Sequence, residues 1–231
     1  MATAKEKFEL AQQRYAATLE RHLDNGVNFI SRDVYIEPEV VIAPGATILP
    51  GCILRGNTTI AAGSVIGPGS VLTDAVIGKN CIVKNTYITE STLEENVSIG
   101  PFSQVRPGCH IAAGCKIGDF VEVKNSHIGQ KTAIAHLTYV GDTDCGSGVN
   151  FGCGVAIANF NGKEKFRTTI GDNAFLGCNT NLVAPVTIGA GAYTAAGATV
   201  TRDVPEDAML IARAEQTVKP GLARRFRREK K

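Results

Sequence analysis

Apolar residues return at every sixth position over most of this chain. Ile36, Ile42, Ile48, Leu54, Ile60, Ile66 and Leu72 run without a miss. So do Leu93, Ile99, Val105, Ile111, Ile117 and Val123, and then Ile170, Leu176, Leu182, Ile188, Thr194 and Val200. Between these runs occasional steps of five keep the beat, through Ile77, Val83 and Ile88, then Ile128, Ile134, Val140, Cys145, Phe151 and Ile157. Four residues after most of these anchors comes a small or β-branched residue, such as Ala46, Ser64, Ser103, Thr132 or Ala198. A helical period does not bring an apolar residue back at every sixth place, and β-branched residues punctuated by Gly favour strands. The pattern therefore predicts a parallel β-helix, an all-β solenoid in which each six-residue unit supplies a short strand and a turn, and three units make a triangular coil.

Two segments flank the repeat and one interrupts it. Residues 4–24 carry Phe8, Ala11, Tyr15, Leu19 and Leu23 at the spacing of one helical face, and Asn25-Gly26 is a C-terminal stop signal. This helix is expected to cap the solenoid's open end, which would otherwise present unpaired strand edges. The predicted organisation is a capping helix over 1–30, the β-helix over 31–204, and a C-terminal segment with a basic tail over 205–231. The beat breaks between Ile157 and Ile170, where the surplus residues fall within 159–167 as a charged, Gly-containing loop. Loops projecting from rigid scaffolds are where function concentrates.

Composition narrows the function classes. A net charge of +2 over 231 residues does not call for a polyanionic partner. The tail residues Arg224, Arg225, Arg227, Arg228, Lys230 and Lys231 come without an aromatic stacking platform, so no nucleic acid is expected. The N-terminus lacks the apolar core of a signal peptide, and no stretch reaches the roughly 18 apolar residues of a membrane span, so the chain is expected in the cytoplasm with no membrane partner. Of the seven cysteines, Cys52, Cys81, Cys109 and Cys115 occupy the small position of the repeat and Cys145 an anchor. They read as buried free thiols acting as small hydrophobes.

Counting anchors in threes stacks residues on faces. Val105, Val123 and Val140 follow one another on one face, which sets the residues after them, Arg106, Lys124 and Gly141, in an outward column. Two cations one strand spacing apart, about 5 Å, repel by about 3 kcal/mol at an effective dielectric near 20. An anion between them would relieve this; Gly141 is expected to leave it room, and Tyr139 to donate a hydroxyl. On the preceding face, two places after Ile134, Phe151, Leu176 and Thr194, stand His136, Cys153, Cys178 and Ala196. One imidazole at the head of a column of small side chains is a candidate general base beside a groove that suits an extended thiol cofactor. His110 and His127 also stack, but a catalytic zinc wants a third protein ligand, so they read as surface residues and no metal is expected.

Together, IGPFSQVRPG, GDFVEVKNS, AHLTYVGD, NGKEKFRTTIGD, CNTNLVAPVTIG and LIAR resemble the C-terminal acetyltransferase half of the bacterial bifunctional N-acetylglucosamine-1-phosphate uridyltransferase/glucosamine-1-phosphate acetyltransferase family. The resemblance implies a left-handed β-helix, a homotrimer with active sites between subunits, and acetyl-CoA as co-substrate. It implies His136 as the general base; Arg106, Lys124, Tyr139 and Lys165 on the sugar phosphate; and Asn150 and Asn159 as polar contacts around the acceptor. It places Cys153, Asn159, Phe160, Cys178, Ala196 and Arg213 at acetyl-CoA positions, with Lys219 near the cofactor's phosphates. The expected activity is acetylation of glucosamine 1-phosphate to N-acetylglucosamine 1-phosphate, in the supply of cell-wall precursors. Two departures bear on it. The family's Asn-Tyr-Asp-Gly reads Asn159-Phe160-Asn161-Gly162 here, which alters the acceptor loop by a hydroxyl and a charge. No Gly-rich L-x-x-G-x-G-T-R loop occurs in these residues, so uridyltransferase activity is not expected of them. Alternatives are the same chemistry on another phosphorylated amino sugar, or a catalytically silent trimeric scaffold that binds a sugar phosphate.

Overall fold

The computed structural model describes residues 2–226; Arg227, Arg228, Lys230 and Lys231 of the basic tail lie outside the described residues. Three parallel sheets form the walls of a solenoid of about ten turns. Sheet 1 stacks eleven strands from Asn28–Phe29 to Met209–Leu210, sheet 2 ten from Tyr35–Ile36 to Thr199–Val200, and sheet 3 nine from Val41–Ile42 to Val186–Ile188. Every third strand in sequence is a neighbour in space, which is the left-handed β-helix architecture the motifs imply.

The six-residue anchors become in-register ladders inside the triangle. Ile117, Ile134, Phe151, Leu176 and Thr194 pair in succession down sheet 1, and Val105, Val123 and Val140 down sheet 2. All are buried, and each fully buried aliphatic anchor contributes roughly 1.5–3 kcal/mol. The small hydroxyl position has its own logic. Ser64 donates to Gly78 O at 2.7 Å and accepts from Cys81 N at 3.0 Å; Thr132 does the same with Gly146 O and Val149 N. One hydroxyl thus satisfies two backbone groups of the next coil at a corner where the ladder has a gap. The five cysteines at repeat positions, Cys52, Cys81, Cys109, Cys115 and Cys145, are buried and free, and burial pushes the Cys145 thiol up to about 12.

The helix spans Ala4–Asp24, opened by a Thr3/Glu6 capping box. It seats less of its face than the spacing predicts. Thr18, Leu19 and His22 are buried, and Tyr15 donates to Arg32 O at 2.7 Å, whereas Phe8 is 63% exposed. A helix of 21 residues is about 30 Å long and overhangs the end of a slender solenoid, so only its C-terminal half finds a surface. Among the described residues no helix is long and apolar enough to cross a membrane.

Candidate active site

The corner that closes sheet 1 carries one column of equivalent positions. The carbonyls of Asp119, His136, Cys153 and Cys178 accept, in turn, from Leu137 N, Gly154 N, Asn179 N and Gly197 N. These are the same rung of the ladder repeated coil by coil. Ala196 comes next, and its carbonyl accepts from Arg213 Nη1 at 2.7 Å, so the predicted column exists and Arg213 closes it. The neighbouring positions Gly118, Ala135, Gly152 and Gly177 keep the sheet surface beside it low. Asn150 stands on the outer face of the same sheet, paired with Ala133 and Phe175.

His136 has a partner that the spacing did not point to. Its Nδ1–H donates to Asp119 Oδ1 at 2.6 Å, which leaves Nε2 as the basic nitrogen of the ring. The imidazole holds the Asp119 carboxyl below the usual carboxylate range. The signal was an acid 17 residues before His136, one coil in this stretch, just ahead of the corner. Beside the pair, Phe102, Phe120 and Leu137 all have positive φ, at 58°, 55° and 48°, and all are more than half exposed. Bulky residues in the left-handed region cost about 1–3 kcal/mol each and gather at functional sites. The Phe102 and Phe120 rings stack at 5.5 Å.

At the far end of the sheet 2 strands, Arg106 and Lys124 occupy adjacent coils, as the anchor count predicts. Two expectations about them are corrected. Each cation already has its own carboxylate: Arg106 Nη1 bonds Glu122 at 2.8 Å, and Lys124 Nζ bonds Asp142 at 3.1 Å. Their repulsion is therefore offset within the protein, without an intervening anion. Gly141 also leaves no open space. A Cβ there would lie 2.5 Å from Tyr139 Oη and 2.8 Å from the Asn159 side-chain nitrogen, so the missing side chain makes room for those two groups.

Asp142 is the hub that the spacing left out. It is buried, and it accepts from Lys124, from Asn125 Nδ2 at 2.6 Å and from the Asn159 amide. Burial raises its pKa, but the donors of Asn125, Lys124 and Asn159 outweigh that and leave it lowered. Asn159, expected on a protruding loop, is buried at the loop's root with its amide on Asp142. From that root the loop folds back. Phe160 and Lys165 bridge antiparallel, and Asn161 Oδ1 accepts from Lys163 N and Glu164 N at 2.8 Å each. This returns Lys165 to Lys124, whose ammonium pushes Lys165 below the usual lysine range. Arg106, Lys124 and Lys165 thus form one cationic cluster with Tyr139 beside it. Phe160 is left 57% exposed at the loop's outer side, and Lys219 is exposed in the C-terminal segment.

The imidazole and the cation cluster stand at opposite edges of the sheet 2 strands. His136 is in register with Asp119 before the strand, and Lys124 with Gly141 after it. Five residues separate the two columns, which is roughly 10–15 Å along a strand that begins at a turn.

The profile of the bacterial transferase hexapeptide family (six repeats) matches residues 39–74, 90–125 and 167–202. The bifunctional protein GlmU of Acetivibrio thermocellus is 56% identical over 124 residues, covering 54% of this chain and 27% of that protein. GlmU of Halalkalibacterium halodurans is 58% identical over 125 residues, covering 54% of this chain and 28% of its own length. The aligned stretch thus spans under a third of the length of these relatives. Among solved structures, the Francisella novicida UDP-N-acetylglucosamine acyltransferase aligns over 80% of this chain and 66% of its own, with TM-score 0.47 and 21% identity.

Proposed function

We propose that this chain, which belongs with the hexapeptide-repeat transferases and corresponds to the C-terminal acetyltransferase part of GlmU-like proteins, acetylates the amine of glucosamine 1-phosphate using acetyl-CoA. The observation that carries the reading is the Asp119–His136 pair at the head of a small-residue column, in a molecule that also presents the Arg106–Lys124–Lys165 cluster. In this reading His136 Nε2 takes a proton from the sugar ammonium, or from the amine as it attacks the thioester carbonyl. Asp119 holds the ring in the tautomer with Nε2 free and stabilises the imidazolium that forms. Backbone N–H groups along the column are the candidate donors to the tetrahedral oxyanion. The C–S bond then breaks and the proton leaves with the CoA thiol.

The cationic cluster would hold the sugar phosphate by charge-assisted contacts. The amine and phosphate of a hexosamine 1-phosphate sit on neighbouring ring carbons. The backbone columns that carry His136 and Lys124 stand further apart across sheet 2 than these two substituents do. This supports a site built between copies, with the cations of one subunit facing the imidazole of the next, in a homotrimer. The groove past Cys153, Cys178 and Ala196 would take the cofactor arm, with Arg213, Lys219 and Phe160 at its margins. The direct test is thiol release from acetyl-CoA with glucosamine 1-phosphate, with glucosamine, and with neither. Turnover that needs the phosphorylated sugar supports the proposal. Equal rates on both sugars, or none on either, sink it. Phe160 and Asn161 favour one variant reading, a different phosphorylated amino sugar, which a panel of hexosamine phosphates in the same assay would reveal.

A further inference from the structure

The hairpin of residues 159–167 is gripped at both roots by the coils that precede it. At the first root the buried Asn159 gives its amide to the Asp142 carboxylate. At the second, Thr168 N donates to Asp142 O at 3.1 Å, and Arg167 spreads its guanidinium over two coils. Its Nε and Nη2 donate to Asp144 at 2.8 and 2.6 Å, and its Nη1 donates to Asn125 O at 3.2 Å. Asn125 in turn donates its side-chain amide to Asp142 at 2.6 Å. The two roots are thus joined through Asn125 and Asp142, and Phe166 N closes the neck on Asn159 O at 2.8 Å.

The hairpin needs such a grip. Residues 160–165 are all exposed. The Phe160–Lys165 bridge, the Asn161 turn and the neck bond run within the hairpin, so they fix its shape and not its angle to the solenoid. Lys165 lies close enough to Lys124 for the like charges to hold its pKa down, and that repulsion pushes the hairpin outward. A guanidinium resists such a swing better than an ammonium would, because its planar fork fixes direction as well as distance. The Arg167–Asp144 pair is about half exposed, so it adds little to global stability, and its effect belongs to the hairpin.

We infer that Arg167, bonded to Asp144 and Asn125, is a positioning residue for the acceptor: it sets the angle of the hairpin and keeps Lys165 at the Arg106–Lys124 cluster. The inference rests on the proposed binding of the sugar phosphate by that cluster.

The test compares the wild type, Arg167→Ala and Arg167→Lys as whole chains. In Arg167→Ala, amide hydrogen exchange over residues 159–167 should quicken by about tenfold or more while circular dichroism stays the same. In the thiol-release assay its KM for glucosamine 1-phosphate should rise by about tenfold. Saturating sugar phosphate draws the hairpin back, so kcat should change less. Phe160 follows the Asn159 root, which the variant leaves intact, so KM for acetyl-CoA should stay within about threefold. Arg167→Lys keeps a cation opposite Asp144 without the fork and should fall between the other two. Unchanged exchange, or a freed hairpin with unchanged KM for the sugar, overturns the inference and leaves the transferase reading intact. An equal rise in KM for acetyl-CoA overturns it as well, because the damage would then be general. A wild type that does not turn over glucosamine 1-phosphate overturns both.

Discussion

Two stacks of histidine and carboxylate decorate this solenoid. On the corner of sheet 1, Asp119 meets His136. On sheet 3, His110, His127 and Asp144 stand in register in successive coils, with His127 bonded to Asp144 and His110 to Glu94, two places along from its register partner Thr92, both at 3.0 Å. The residue types and the coil spacing are alike, and the local bonds are alike too. What surrounds them differs. The sheet 3 stack is closed: the His110 and His127 rings lie 6.4 Å apart, and Arg167 clasps Asp144 with Nε at 2.8 Å and Nη2 at 2.6 Å. His136 Nε2, like His127 Nε2 and His110 Nδ1, has no bonded partner among the described residues, but only the sheet 1 pair has a column of small residues beyond it and three strained apolar neighbours beside it. A histidine bonded to a carboxylate is therefore common on such a surface, and the groove of small residues beside it is what singles out one of them.

The largest expected effect separates the two stacks outright. His136→Ala should lower kcat by roughly two to four orders of magnitude, whereas His110→Ala and His127→Ala should stay within about twofold of wild type in the same thiol-release assay. A comparable loss from either sheet 3 variant would break the distinction.

The second prediction mixes variants that are each inactive. Lys165 sits with Lys124 at one edge of sheet 2 and His136 at the other. Mixed assemblies of His136→Ala and Lys165→Ala chains should regain activity well above either parent, because some sites would pair an intact His136 with a neighbour's intact Lys165. Co-purified mixtures no better than the parents would place both residues in one subunit's site.

Smaller effects come from the cations. Lys124→Ala removes a charge-assisted contact worth about 1.5–3 kcal/mol and should raise KM for the sugar phosphate by about 10- to 150-fold with a lesser change in kcat. An unchanged KM would detach the cluster from phosphate binding. It would also leave Asp142 holding three groups, Lys124, Asn125 and Asn159, for purely structural reasons.

The smallest effect belongs to the closed stack and concerns stability. Arg167, and next to it His127, hold the Asp144 carboxyl at about 2, below its ordinary 3.8. A depressed acid stabilises the fold above its unfolded pKa and loses that contribution as pH falls through the folded value. Asp144→Asn should therefore lower Tm at pH 7 by a few degrees at most, since the pair is about half exposed and screened. The gap to wild type should hold down to about pH 4 and close as pH approaches 2. A gap that persists at pH 2 would mean the substitution acts by packing and not by charge.

How far the molecule was legible before its structure depended on how each group is held. The period alone assigns Val105, Val123 and Val140 to one face and Ile134, Phe151 and Leu176 to another. From that follow the adjacency of Arg106 with Lys124 and the column running from His136 to Ala196. Strand register is a one-dimensional property, and a slip of one residue would turn every anchor outward. Asp119, Glu122 and Asp142 escaped this reading because their roles depend on where a side chain turns at a corner, and that is a matter of φ and rotamer. Glu122 precedes its anchor and yet reaches back to Arg106 in the coil before; nothing in its spacing distinguishes it from Gln104, the residue in register with it.

The sequence by itself determined the solenoid, its three faces, the corner column and the position of the one large insertion, because a buried ladder of Ile, Val and Leu tolerates only one register. Only the tertiary structure decided that Gly141 makes room for Tyr139 and Asn159, that the hairpin of residues 159–167 brings Lys165 back to Lys124, and that His136 keeps Nε2 free by bonding Asp119 through Nδ1. These are contacts between polar side chains on different coils. Their geometry is set by burial and by competition for donors and acceptors, which a hydrophobic period does not encode.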